Sequence, residues 1–252
     1  MQSISLAKSV SVLVLLLVVM QFGAAFANDM PIDSLEGSSN SDTAELSEQR
    51  LTQQRQRYVR AMRMVREGQW QRLRQYRGEL TSYPLYPYLI YADLIADLHY
   101  KRRSAVNAYL TEYADTVKAT HLRNRWLEYL AKRGYWKAYT EAYQPSTANH
   151  SQQCNFYLAH YRLGNHSKAI NGGLAVWANG RSMPKACDRL FGILIKQGHI
   201  SEALAWQRFN AAMDQHNYQL ARYLKRFFRS PSYKQRYQLY YAAHSNPWSI
   251  NQ

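Results

Sequence analysis

Apolar residues recur along this chain at helical spacing. In the run from Arg50 to Glu67, Leu51, Tyr58, Met62 and Val65 share one side, and Gly68 stops it. Trp70, Leu73 and Tyr76 pattern Gln69–Leu80. Leu89–Leu98, Ala105–Tyr113, His121–Arg133 and Tyr135–Tyr143 follow as helices, and Pro145-Ser146-Thr147 is a loop. Asn155–Leu163 and Ser167–Trp177 form the next pair. Ser182-Met183-Pro184 opens a further helix with Pro in its first turn, and Leu190–Gln197 carries it to Gly198. Ile200–Phe209, Ala211–Gln215, Gln219–Phe228 and, after Pro231, Tyr233–Ala243 complete the list. No strand-like alternation competes, so the pattern predicts an all-α fold.

The breaks between these runs share a form. A helix ends in a turn containing Gly or Asn, and an early aromatic residue or Ala starts the next. It recurs at Gly68-Gln69-Trp70, Gly134-Tyr135-Trp136, Gly164-Asn165-His166, Gly198-His199-Ile200 and His216-Asn217-Tyr218. With Asn217 marking the last turn, the spacings are 66, 30, 34 and 19 residues. That is too irregular for a tetratricopeptide array and suits a degenerate α-solenoid of stacked helical hairpins.

The N-terminus departs from this pattern. Lys8, the apolar run Val10–Met20 and Ala25-Phe26-Ala27 read as a cleaved signal peptide over residues 1–27. The rival is an uncleaved membrane anchor; the well-formed small-residue site and the shortness of the apolar run favour cleavage, leaving no membrane span. The mature chain would start at Asn28 and have 225 residues. Residues 28–49 carry six carboxylates and no Lys or Arg, and the stretch 28–47 reads as a flexible acidic arm before a helical domain at 48–252. From Arg50 onward, 31 basic residues face 11 acidic ones, a formal charge of +20. A body so basic favours polyanionic partners. Export limits these to cell-wall polymer, anionic lipid or lipopolysaccharide, and excludes nucleic acid by compartment. The blander meaning of the charge is solubility.

The chain has two cysteines, Cys154 and Cys187, and export permits them to pair. A zinc site formed by both with His160 and His166 is the rival, but their spacing fits no zinc motif. The two histidines then read as ordinary surface or groove residues. The Tyr83–Tyr88 segment, YPLYPY, has too few prolines for a polyproline ligand and reads as the start of a helix.

A longer comparison becomes possible around the cysteines. Gln153-Cys154-Asn155-Phe156-Tyr157, Leu163-Gly164, Val176-Trp177 with Gly180, Ser182, Pro184 and Ala186-Cys187-Asp188-Arg189-Leu190-Phe191 together resemble the N-terminal superhelical, U-shaped domain of soluble lytic murein transglycosylases. Tyr83–Leu89 resembles the start of a helix in the same domain. The resemblance implies a disulfide-clamped superhelix in the periplasm, forming part of a ring that accommodates glycan strands of peptidoglycan. It also implies a parent reaction: cleavage of the MurNAc-GlcNAc bond by intramolecular transfer to a 1,6-anhydro-muropeptide, without cofactor or metal.

That reaction needs a carboxyl group acting first as acid and then as base. In the family the Glu is followed by Ser, with Gly-Leu-Met-Gln downstream. None of the nine Glu residues here precedes Ser, and Gly-Leu-Met-Gln is absent. No catalytic residue is therefore assigned. The expectation is a truncated, non-catalytic portion of the U-domain that works with glycan strands and a separate catalytic domain. The alternative is a stand-alone periplasmic scaffold binding peptidoglycan or a cell-wall protein. Trp126, Trp136, Trp177, Trp206 and Tyr88 could stack on sugars, but in a helical stack most such rings fill the core.

Overall fold

The computed structural model describes residues 37–246. The signal peptide expected at 1–27 and residues 28–36 of the expected arm lie outside the described residues. The chain divides into two compact units at Leu51 and Thr52, and the described part of the first consists of helix alone.

Twelve α-helices occur among the described residues, with five short 3-10 segments and no strand. They are α1 (Gly37–Arg66), α2 (Trp70–Tyr76), α3 (Tyr86–Ala96), α4 (Arg103–Glu112), α5 (Val117–Arg133) and α6 (Trp136–Ala142). After them come α7 (His150–Arg162), α8 (His166–Trp177), α9 (Asp188–Lys196), α10 (Glu202–Asp214), α11 (Tyr218–Leu224) and α12 (Pro231–Ser245). Most packing is between helices adjacent in the chain, as in a stack of hairpins.

The five recurrent breaks share one local geometry. Gly68, Gly134, Gly164 and Gly198 adopt φ between +68° and +86°, and His216 does the same at +55°. In each, the following amide donates five residues back: Gln69 to Met64, Tyr135 to Leu130, Asn165 to His160, His199 to Leu194 and Asn217 to Ala212. These are Schellman closures, which satisfy the last carbonyls of a helix and reverse the chain within two residues. The last left-handed residue is thus His216, one position before the Asn217 that the sequence pattern marks.

Several boundaries differ from the sequence expectation, each for a local reason. Helix α1 starts at Gly37, ahead of the run that the sequence pattern begins at Arg50. Helix α3 starts at Tyr86 and takes Pro87 into its first turn, where the missing N–H has no partner to lose. Helix α7 starts at His150, five residues before Asn155. Asn149 accepts from the Gln152 amide and Gln152 Oε1 accepts from the Asn149 amide, a capping box. Pro145–Thr147 is a 3-10 turn, and Pro184 precedes another at Lys185–Cys187. Helix α10 runs unbroken to Asp214 through the point where the pattern divides it.

Three cores follow one another along the chain. Ala61, Leu73, Leu80, Tyr83 and Leu89 make the first. The second, around Leu94, Leu122, Trp126, Leu130 and Tyr139, runs from α3 to α7. The third, around Trp177, Leu190, Leu194, Phe209 and Leu224, runs from α7 to α12. Helix α7 serves both of the larger cores: Ala159 belongs to one, and Cys154 and Leu158 to the other.

Candidate functional site: a basic cleft beside the disulfide

Cys154, on α7, is bonded to Cys187, at the end of the 3-10 turn before α9; the Cα atoms are 4.9 Å apart and both residues are fully buried. The bond fixes the start of α9 against the first half of α7. His160 and His166 do not join the cysteines: no group of three or more potential metal ligands occurs among the described residues. His166 is exposed at the start of α8, edge-on to Tyr161. His160, read from sequence as a surface or groove residue, is buried. It lies edge-on to Phe156, and Nδ1 meets the Asn165 side chain at 3.3 Å. Burial, reinforced by the Lys168 ammonium, pushes its pKa below the usual imidazole value.

A cleft of about 690 Å³ opens between α5, α6, α7 and the segment leading into α9. Its floor is a hydrogen-bonded network. Gln152 Nε2 donates to Asn124 Oδ1 at 2.8 Å, and the Tyr139 hydroxyl donates to the Gln152 carbonyl at 3.0 Å. The capping box of α7 is part of the same network, so these amides are held before any ligand arrives. Arg125 and Lys132 on one wall and Lys185 and Arg189 on the other give the cleft four cations against one carboxylate, Glu128. Glu128 is 71% exposed and 3.4 Å from Arg125. The arrangement can bind and orient a polar, anionic ligand.

Some of the residues that carry the sequence resemblance meet here. Asn155, Ala186 and Arg189 line the cleft, and Cys154 and Cys187 clamp it. Gly180 has a separate reason to be glycine: a Cβ there would stand 2.3 Å from the Ala211 carbonyl oxygen. Of the rings considered for sugar stacking, Trp126 and Trp177 are 1% exposed and belong to the cores. Trp136 and Trp206 are packed against the cores. Tyr88 alone of the five is substantially open, with the Lys118 ammonium 5.8 Å from its ring centre. Asn124 and Arg125 escaped the sequence reading because nothing local marks them; the capping signature Asn149-x-x-Gln152 could have found the partner of Asn124.

Two carboxylates away from the cleft, Asp93 and Glu202, are structural ties. Asp93 is fully buried and meets Arg74 at 2.7 Å, Arg77 at 3.2 Å and Arg102 at 2.7 Å. Glu202 accepts from the Ser230 hydroxyl and amide and from the Arg229 amide at the start of α12. The Ser230 hydroxyl is the largest of several hydrogen bonds that hold the Glu202 pKa below the usual carboxylate value.

Fold and site together define a disulfide-clamped stack of helical hairpins with a polar, basic cleft. No family model matches the chain. Its similarity to known proteins is to the soluble lytic murein transglycosylases of Escherichia coli K12 and Salmonella typhimurium LT2. Each is 30% identical over 164 residues, which are 65% of this chain and 25% of the relative. The solved structure of the 70-kDa soluble lytic transglycosylase of Escherichia coli matches with a TM-score of 0.66 at 26% identity, covering 79% of this chain and 32% of that one. The inactive mutant of the lytic transglycosylase Slt from Pseudomonas aeruginosa matches with a TM-score of 0.64 at 29% identity, covering 78% and 32%. The chain is therefore homologous to part of the soluble lytic murein transglycosylases, and it spans about a quarter of the length of the curated relatives it matches.

Proposed function

We propose that this chain is a non-catalytic helical module of a periplasmic soluble lytic murein transglycosylase system, and that it binds the glycan strands of peptidoglycan. The observation that carries this reading is the cleft itself. Four cations surround a prepaid network of amides, and the cleft is lined or clamped by Cys154, Asn155, Ala186, Cys187 and Arg189 from the segments most like the family. Amide and hydroxyl groups suit sugar hydroxyls, and Arg and Lys suit the carboxylates of the attached peptides. The signal sequence at 1–27 delivers the chain to the periplasm, and the domain at 48–252 does the binding. Bond cleavage falls to a catalytic domain elsewhere.

The test is incubation of the mature protein with purified sacculi. The protein is expected to sediment with them, while mass spectrometry finds no 1,6-anhydro-muropeptide above a mock-purified control. Release above that control would make one of the carboxylates catalytic and overturn the reading. Failure to sediment would remove the binding role.

A further inference from the structure

We propose that a second cleft, formed by the end of α11, the 3-10 turn after it and α12, binds a small polyanion that carries a flat apolar group. This goes beyond the glycan-binding reading and does not rest on it.

The cleft has a volume of about 490 Å³, within the range of ordinary small-ligand sites. Arg222, Lys225, Arg226 and Lys234 line it together with Tyr223, Phe228 and Tyr237, and no carboxylate does. All four cations are exposed, and none forms an ion pair among the described residues. Two of them lie against rings instead. The Lys225 ammonium is 5.6 Å from the Tyr237 ring centre, and the Arg226 guanidinium is 5.0 Å from that of Tyr223. The walls therefore present positive charge and aromatic surface side by side.

A further cation connects to this wall through the rings. Arg208 is 4% exposed, and its guanidinium lies 4.5 Å from the Trp177 ring centre. Trp177 contacts Phe227 edge-on, and Phe227 contacts Tyr223 edge-on. Arg208 has no carboxylate partner among the described residues, and its Nε has no hydrogen bond. Burial pulls its pKa down to about 10, so it remains charged at neutral pH. Four cations crowded into one cleft, with a fifth unpaired nearby, repel one another. A ligand with several negative charges relieves that repulsion, and Tyr223, 44% exposed, gives an apolar body a ring to lie against.

The test is calorimetric titration of the exported protein with benzene-1,3,5-tricarboxylate and, separately, with citrate, which has three carboxylates and no ring. The aromatic tricarboxylate is expected to bind one-to-one and about tenfold more tightly than citrate. Arg222→Gln combined with Arg226→Gln should weaken it by at least about tenfold. Arg125→Gln with Lys132→Gln, in the other cleft, should leave it unchanged. All four positions are exposed or line open clefts, and circular dichroism of each variant confirms that the fold survives. No saturable binding, equal affinity for the two anions, or equal loss in the two double variants would each overturn the proposal.

Discussion

Two of the ties between the helices of this chain work by opposite means. Between α7 and α9 the tie is covalent and neutral: the Cys154–Cys187 bond, with an uncharged amide network beside it. Around α2 and α3 the tie is ionic: Asp93, fully buried, with three arginines closing on it from two sides in sequence. A disulfide acts chiefly by restricting the unfolded chain, whereas a buried ion cluster must first repay the desolvation of its carboxylate. The first should therefore stabilise regardless of salt and pH. The second should matter most when one partner is removed.

Removing the disulfide is the strongest way to break the comparison. Cys154→Ser with Cys187→Ser should cost about 3–4 kcal/mol, as expected for a 33-residue separation, read by urea unfolding. Wild-type protein under reductant should lose a similar amount. Asp93→Asn should cost about 2–3 kcal/mol. This is less than the full penalty for an orphaned buried charge, because the Arg74 side chain is 44% exposed and is solvated already. The cysteines belong to the third core, Asp93 and its arginines do not, and the two ties share no partner, so their losses should add to within about 0.5 kcal/mol. A strongly non-additive double variant would mean that the stack behaves as one tie.

Two smaller changes sharpen the account of the joints. Gly180→Ala drives a methyl group into the Ala211 carbonyl and should cost about 2 kcal/mol, with α10 shifted. Gly134→Ala meets only ordinary van der Waals distances, 3.7 Å to the Trp136 indole, and should cost about 1 kcal/mol from its left-handed backbone alone. Equal losses at the two positions would contradict the distinction between close approach and backbone geometry.

The smallest effect is in the pH profile. The folded pKa of His160 lies below its ordinary 6.5, so the unfolded chain takes up the proton first and stability falls as pH drops below about 6.5. Glu202, also depressed in the fold, contributes stability above its ordinary 4.5 and loses it as pH falls through its lower folded value. Thermal melts should therefore decline in two steps on acidification. His160→Gln should abolish the first step only.

The fold was largely legible in the sequence because its signals are local. The helical period, the glycines at 68, 134, 164 and 198, and the prolines at helix starts all act within a turn or two of themselves. Even the fifth joint was marked by its aromatic successor Tyr218, although His216 rather than Asn217 takes the left-handed conformation. The cysteine pair was legible because only two cysteines exist. The cleft was not. It forms where Asn124, 28 residues before Gln152, comes under the same helix start, and no period in the chain encodes that meeting. His160 misled for a different reason: it packs edge-on against Phe156 and meets Asn165 across the turn, contacts that hydropathy alone does not reveal. The ionic tie was equally hidden, since Asp93 in sequence looks like any exposed helix carboxylate.

The central claim is that the disulfide cleft holds glycan. The most direct measurement is co-sedimentation with purified sacculi for wild type, for Lys185→Gln with Arg189→Gln, and for Arg222→Gln with Arg226→Gln, which removes the same charge from the other cleft. The account predicts that the first pair weakens retention about tenfold and the second pair changes it little. Equal loss in both pairs would mean that overall positive charge, rather than this cleft, binds the wall, and would contradict the claim.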